Sequence, residues 1–408
     1  MISGADTAFI LVSAALVLLM TPGLAIFYAG MVRGKNVLAT ILQSFIMITV
    51  ISLEWVYLGY SMAFGPDIGG FIGDLSFFSL NGVTSAPSAV YATTIPQNVF
   101  MIYQCMFAII TPALITGAFA ERMRFGPFLI FSLAWTILVY NPVCHWVWGS
   151  GGWLAARGVL DFAGGLVVHL TSGMAALASV LVLGPRKGLG RESFMPHSLP
   201  MTLLGTGLLW FGWFGFNGGS ALAANGIAAT AFISTHLAGM AGMGMWLLVE
   251  WLHRKKPTTL GAASGAIAGL ATVTPGAGFI TPNSAIIIGI IAGFSCYLAV
   301  NLKNRIGFDD SLDVVGIHGL GGIIGTICLG LFATKTVNPS GADGLFAGNA
   351  AFLTTQVFGV AVVGAYAFLV SLILLKIIDI ISGGLRVSHE NEVLGLDQGA
   401  HSEKAYNM

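Results

Sequence analysis

The sequence predicts an all-α polytopic membrane protein, and three observations carry that prediction. Only 8% of the 408 residues are charged and 56% are hydrophobic, whereas a soluble domain is about 25% charged. A chain with so few polar groups cannot coat a globule against water, so its solvent is lipid. Eleven apolar stretches each reach the roughly 20 residues that a helix needs to cross the hydrocarbon core. Basic residues crowd into every second connection between those stretches.

The stretches lie at about 8–30, 38–64, 97–119, 126–147, 162–184, 199–221, 226–251, 258–277, 283–302, 312–334 and 351–379. No basic residue precedes the first, and its apolar run is longer than that of a secretory leader. Arg33, Lys35, Arg122, Arg124, Arg186, Lys187, Arg191, Arg254, Lys255, Lys256, Lys303 and Arg305 follow the odd-numbered spans one to nine, against Arg157 and Lys335 in the alternate connections. Because short cytoplasmic loops collect lysine and arginine, the amino terminus is expected outside and the carboxyl terminus inside. Residues 1–382 then make the transmembrane domain and 383–408 a cytoplasmic tail.

An odd number of spans allows spans 1–5 and 6–10 to run in opposite senses as an inverted repeat, with the eleventh helix outside it. Fifty-five glycines suit such a bundle, since small residues let membrane helices approach closely. Gly265 with Gly269, and Gly321 with Gly325, have the spacing of helix-contact pairs. Cys105, Cys144, Cys296 and Cys328 lie in or beside apolar stretches without a CxxC, and read as packing residues. The net charge is zero and there is no basic stripe, which excludes nucleic-acid binding. No GxSxG, HExxH or Walker sequence marks an enzyme, and nothing calls for a cofactor.

His169 in span five and His318 in span ten occupy corresponding places in the two halves. An ionisable side chain within a span is costly and marks a functional site by default. Two neutral imidazoles can share one hydrogen bond, leaving their outer nitrogens to meet a small polar solute in a pore or to relay a proton. Metal binding needs three or four ligands, and no Cys, Asp or Glu stands at helical spacing to complete such a set. Each histidine has an upstream aspartate at a span start, Asp161 and Asp313. Either carboxylate can cap the exposed amides of its helix, and Asp161 can also support an outer solute site. Glu54 lies inside span two and fits three roles: protonated packing residue, interhelical contact, or part of a water-accessible route.

The segments "GAFAERMRF" (117–125), "DFAGGLVVH" (161–169), "WFGFNGGSA" (213–221), "SGAIAGL" (264–270), "VTPGAGFI" (273–280) and "DVVGIHGLGG" (313–322) resemble the ammonium transporter family (Amt/Mep/Rh), in its prokaryotic Amt form. The resemblance extends to the tail motif "GLDQGAHSEKAY" at 395–406. It implies a homotrimer of eleven-helix subunits in the cell membrane, each with a central pore for ammonium or ammonia. His169 and His318 then resemble the pore histidines, and Phe107 and Phe216 the phenylalanines that close the pore from outside. Trp148, Ser220, Tyr103 and Phe107 resemble the outer ammonium site, Asp161 the structural aspartate beside it, and Ser264 a position near the lower gate. The tail and basic loops resemble a docking surface for a PII-type regulatory protein. A rival expectation is an ammonium sensor that binds without transporting, and a third is a carrier of another small solute. The short tail, with nothing after residue 408, favours transport over a sensor fused to a signalling domain.

Overall fold

The computed structural model describes residues 1–406, with the side chain of Asn304 left aside. Ten helices are long and apolar enough to span a membrane. They are α1 (Gly4–Met31), α2 (Gly34–Phe64), α3 (Gln97–Ala118), α4 (Phe125–Ala156), α5 (Gly165–Leu183), α6 (Leu199–Gly219), α7 (Gly226–Arg254), α9 (Pro282–Lys303), α10 (Val315–Phe332) and α11 (Ala350–Ile381). The eighth expected position is filled by the 15-residue helix α8 (Thr259–Val273). It is short because the chain leaves the helix after Thr274, in the glycine- and proline-rich "TPGAG" segment. The eleven elements therefore occur in the expected order, with the eighth shorter than a standard span.

Glycine sets how closely these helices cross. Along α1 and α6, a Cβ on Gly215 would sit 2.7 Å from Leu16 Cβ, and one on Gly30 would strike the backbone of Thr202 at 2.5 Å. Gly265 faces Trp246 and Gly242 of α7, while Gly321 and Gly325 face Thr272 of α8. Both spaced pairs thus lie at helix crossings, as their pattern suggests. A close crossing also joins α5 to α10, where a Cβ on Gly173 would collide with the Cα of Gly319. Gly173→Ala is therefore expected to cost about 2–3 kcal/mol, the upper part of the overpacking range, because backbone cannot yield as a side chain can. Thermal unfolding in detergent measures this, and an unchanged midpoint would show that the crossing is slack.

The face that carries the N-terminus is closed by the connection between α2 and α3. That connection contains two small hairpins, Asp67–Ile68 with Ile72–Gly73 and Pro87–Ser88 with Ala92–Pro96. The opposite face is the basic one. There the fully buried Arg122 donates to Gly184 O, Ser311 Oγ and Asp309 O at 3.0, 2.6 and 2.7 Å. Arg186 bonds both oxygens of Asp309, and Glu121 pairs with Arg33 and Arg186. The tail folds back onto this face. Asp397 Oδ1 accepts from Ala39 N at 2.9 Å, and Asn36 Oδ1 from Leu396 N at 2.8 Å.

Burial by itself raises the Asp309 carboxyl, but the bonds and charge of Arg186 outweigh it and hold the group below its ordinary value of 3.8. A depressed folded-state pKa stabilises the fold above the unfolded value, and that stabilisation is lost as pH falls through the folded one. The melting temperature is expected to drop as pH falls below about 4, and to drop less in Asp309→Asn. Equal acid sensitivity in the two proteins would remove Asp309 from the account.

Candidate functional site

Two polar caps and two irregular helix starts build the site. Asp161 lies four residues before α5, and its carboxylate accepts from Gly164 N, Gly165 N, Leu166 N and Val167 N at 2.8, 2.7, 2.7 and 3.1 Å. Four bonds saturate the roughly four lone-pair positions of a carboxylate. Asp161 is accordingly a cap rather than a free ligand. Gly164 adopts φ 119, a left-handed conformation open to glycine. The helix then begins with a π-helical turn, Gly165–Leu170, which carries His169.

The second half repeats this arrangement with a different aspartate. Asp313 was the expected cap, but it stands at φ 64 outside the helix, and its carboxylate pairs with Lys303. The capping group is Asp310, whose Oδ2 accepts from Val315 N at 2.7 Å at the start of the π-helical turn Val315–Gly319. Asp310 precedes His318 by eight residues, as Asp161 precedes His169. Single π-helical turns are uncommon and concentrate at functional sites. Here a matching pair delivers the two histidines to one another.

The histidines meet with Nδ1 to Nδ1 at 3.3 Å, one ring donating and the other accepting. Above them the rings continue as a stack. Phe216 lies over His169 with centroids 6.1 Å apart and an interplanar angle of 18°, and Phe107 lies over Phe216 at 4.3 Å. Beyond Phe107 a vestibule of about 370 Å³ opens on the N-terminal face, lined by Phe107, Trp148, Ser220, Gln104, Tyr91 and Phe100 among others. On the other side of Phe216 lies a cavity of only about 10 Å³. Its walls are apolar side chains such as Leu114, Val168, Trp213 and Ile267, apart from His169 and His318. His169 Nε2, buried there, has no hydrogen-bond partner among the described residues.

The vestibule wall sets ring faces beside a hydroxyl. Trp148 Nε1 donates to Asp161 O at 2.7 Å, which holds the indole in place, and Phe107 meets it edge to face at 89°. Ser220 Oγ donates to Phe216 O at 2.8 Å, leaving oxygen lone pairs as acceptors. Ring faces and a hydroxyl oxygen together attract a cation, at roughly 0.5–2 kcal/mol per ring.

An aromatic cup thus leads through stacked phenylalanines to a bonded histidine pair. The family model described as the ammonium transporter family matches residues 8–406. The chain belongs to that family. It is similar to an ammonium transporter of Bacillus subtilis, 53% identical over 98% of each chain, and to ammonium transporter Amt1 of Archaeoglobus fulgidus, 48% identical over 99% and 100%. The crystal structure of Saccharomyces cerevisiae Mep2 superposes with a TM-score of 0.90 at 39% identity, covering 95% of this chain and 88% of its own.

Within this ammonium transporter fold, Tyr103 differs from expectation. It is fully buried beside the vestibule rather than lining it, and its hydroxyl lies 3.0 and 2.9 Å from the carbonyls of Gly215 and Phe216 and 3.2 Å from Ser220 Oγ. It braces Ser220. Gln104, which sequence reasoning missed, reaches the wall instead, because the helix turns the next residue outward. Ser264 is buried on α8 one turn from Ile267, which lines the histidine cavity. Glu54 lines neither cavity, and its Oε1 accepts from Asn141 Nδ2 of α4 at 2.8 Å. This is the interhelical contact among its three expected roles. All four cysteines are free and buried, and no group of three or more His, Cys, Asp or Glu able to hold a metal occurs among the described residues.

Proposed function

We propose that this chain carries ammonium across the cytoplasmic membrane, with the vestibule and N-terminus outside. One observation carries the reading: an unpartnered histidine nitrogen in an otherwise apolar cavity, behind a partition of two phenylalanines. A buried polar atom without a partner costs about 1–3 kcal/mol, so the site favours a small solute that can supply a hydrogen bond. Potassium and sodium cannot. Trp148, Phe107 and Ser220 recruit the cation, with Tyr103 as brace. Phe107 and Phe216 form the gate. Ammonium gives its proton to water in the open vestibule or to the His169–His318 pair, and the ammonia left behind passes the two histidines and leaves by way of Ser264. Asp161 supports the recruiting site by holding Trp148 through its carbonyl and α5 through its carboxylate.

The distribution of basic residues supports the orientation, and the family resemblance supports a homotrimer. It also supports a PII-type regulatory partner on the basic face, where residues 383–406 form a packed tail on the transport domain of residues 1–382. Binding and carriage without chemical conversion of the solute make it a transporter rather than an enzyme. A sensor Amt protein is also similar, at 29% identity and a TM-score of 0.89. The transporters at 48–53% identity favour carriage over sensing.

Reconstitution in liposomes tests this reading. A jump in ammonium is expected to drive nitrogen uptake, and jumps in potassium or urea are not. Current recorded in the same experiment reports whether the proton crosses too. Folded protein that binds ammonium without passing it would establish the sensor instead.

A further inference from the structure

His145 lies one turn before Trp148 on α4 and is completely buried. Its Nδ1 is 2.9 Å from the carbonyl oxygen of Ala63, and its Nε2 is 2.9 Å from Asp67 Oδ1. Both partners are acceptors. The carbonyl has no proton to give, and neither does Asp67 as a carboxylate, whose oxygens also accept from Gly70 N at 2.8 and 3.0 Å. A neutral imidazole has one N–H and one bare nitrogen, so it satisfies one of these oxygens and sets a lone pair against the other. We propose that His145 is kept doubly protonated, an imidazolium that ties Ala63 and Asp67 together, and that this latch positions Trp148 at the outer cation site.

The surroundings fit a built latch. A Cβ on Gly151 would sit 2.6 Å from Asp67 Cβ, and one on Gly149 would run into the His145 ring. Only glycine at both places lets the chain wrap the pair. Trp146 Nε1 donates to Phe71 O at 2.8 Å and Trp153 N to Gly70 O at 3.0 Å, so the connection between α2 and α3 is clasped just after Asp67. Trp148 is then fixed twice, through its backbone by the latched turn and through its ring by Asp161 O. From α2 the ring's hydrogen-bond partner is the Ala63 carbonyl, and Glu54 of the same helix bonds Asn141 one turn before His145. The other titratable and charged groups of this region are Asp67 and Tyr91 in the connection, Cys144 on α4, Asp161 before α5, and Arg157 over the Trp153 ring at 5.6 Å. A neutral ring would set its Nε2 lone pair against a carboxylate, so the latch needs both ring protons.

The consequence for uptake rests on Trp148 being part of an ammonium site, but the protonation state can be read without transport. The test is solid-state nitrogen NMR on the ¹⁵N-histidine-labelled chain in liposomes under mildly acidic conditions. The two ring signals lost in His145→Gln are expected at protonated-nitrogen positions. In Asp67→Asn the new amide donates to a bare Nε2, so one of the two signals should move to the unprotonated position. If His145→Gln does not accumulate, the Asp67→Asn difference spectrum identifies the ring by itself. A bare ring nitrogen for His145 in the unaltered protein overturns the proposal. In uptake assays the half-saturating ammonium concentration should rise about tenfold in His145→Gln, the factor expected for one lost charge-assisted hydrogen bond. In Asp67→Asn, where the amide re-forms the bridge to a neutral ring, it should stay level, and an equal rise in the two variants would overturn the positioning role. If the unaltered chain takes up no ammonium at any pH, transport fails as a reading while the spectrum still judges the latch.

Discussion

Alanine in place of Asp161 is expected to cost about 5 kcal/mol of stability, because four buried amides lose their acceptor at about 1–3 kcal/mol each. The four amides span Gly164 to Val167 and open the helix that carries His169. Some of that cost is offset where water from the adjoining vestibule reaches the amides. Asparagine is no rescue, since its NH2 would point at amides that also donate. Thermal unfolding in detergent should show a large drop for both variants. A variant that melts like the unaltered chain but fails to bind ammonium would reverse the assignment, making Asp161 a ligand first and a cap second.

The second large effect is expected at the histidine pair. His169→Ala should leave the fold intact, because its ring makes one side-chain hydrogen bond, to His318, and stands among apolar neighbours that tolerate a smaller residue. Uptake should fall at least about tenfold, the factor for losing one hydrogen bond of roughly 1.4 kcal/mol to the passing solute. His318→Ala should do much the same. The double variant should lose less than the product of the two, since both single changes break one shared bond. Uptake at the unaltered rate in both single variants, measured in the liposomes described above, would remove the pair from the pore.

Much of the fold was legible because hydropathy is a local, additive property. Each span could be placed from its own residues, and only α8 of the eleven falls short of a standard span, where Thr274 and Pro275 end the helix. Periodicity could not show the π-helical turns, since one extra residue per turn leaves no mark in an apolar pattern. That omission misdirected the cap assignment. Asp313 is the nearer carboxylate to His318, but the turn that delivers the ring begins further back and draws its acceptor from Asp310. Tyr103 and Gln104 are the same lesson on a smaller scale. One residue of rotation decides which side chain faces the vestibule.

What the sequence by itself determined is the solvent of this chain, the order of its helices, its two intramembrane histidines and the family to which they point. These follow from composition and from motifs that keep their meaning wherever the chain lies. Only the tertiary structure decided which polar atoms are satisfied and which are left free. His169 and His318 are 149 residues apart, yet their Nδ1 atoms meet at 3.3 Å. His145 faces two acceptors some 80 residues earlier, one at the end of α2 and one in the connection that follows it. Hydrogen bonds depend on tenths of an ångström and on direction, and such distances exist only once the helices have packed.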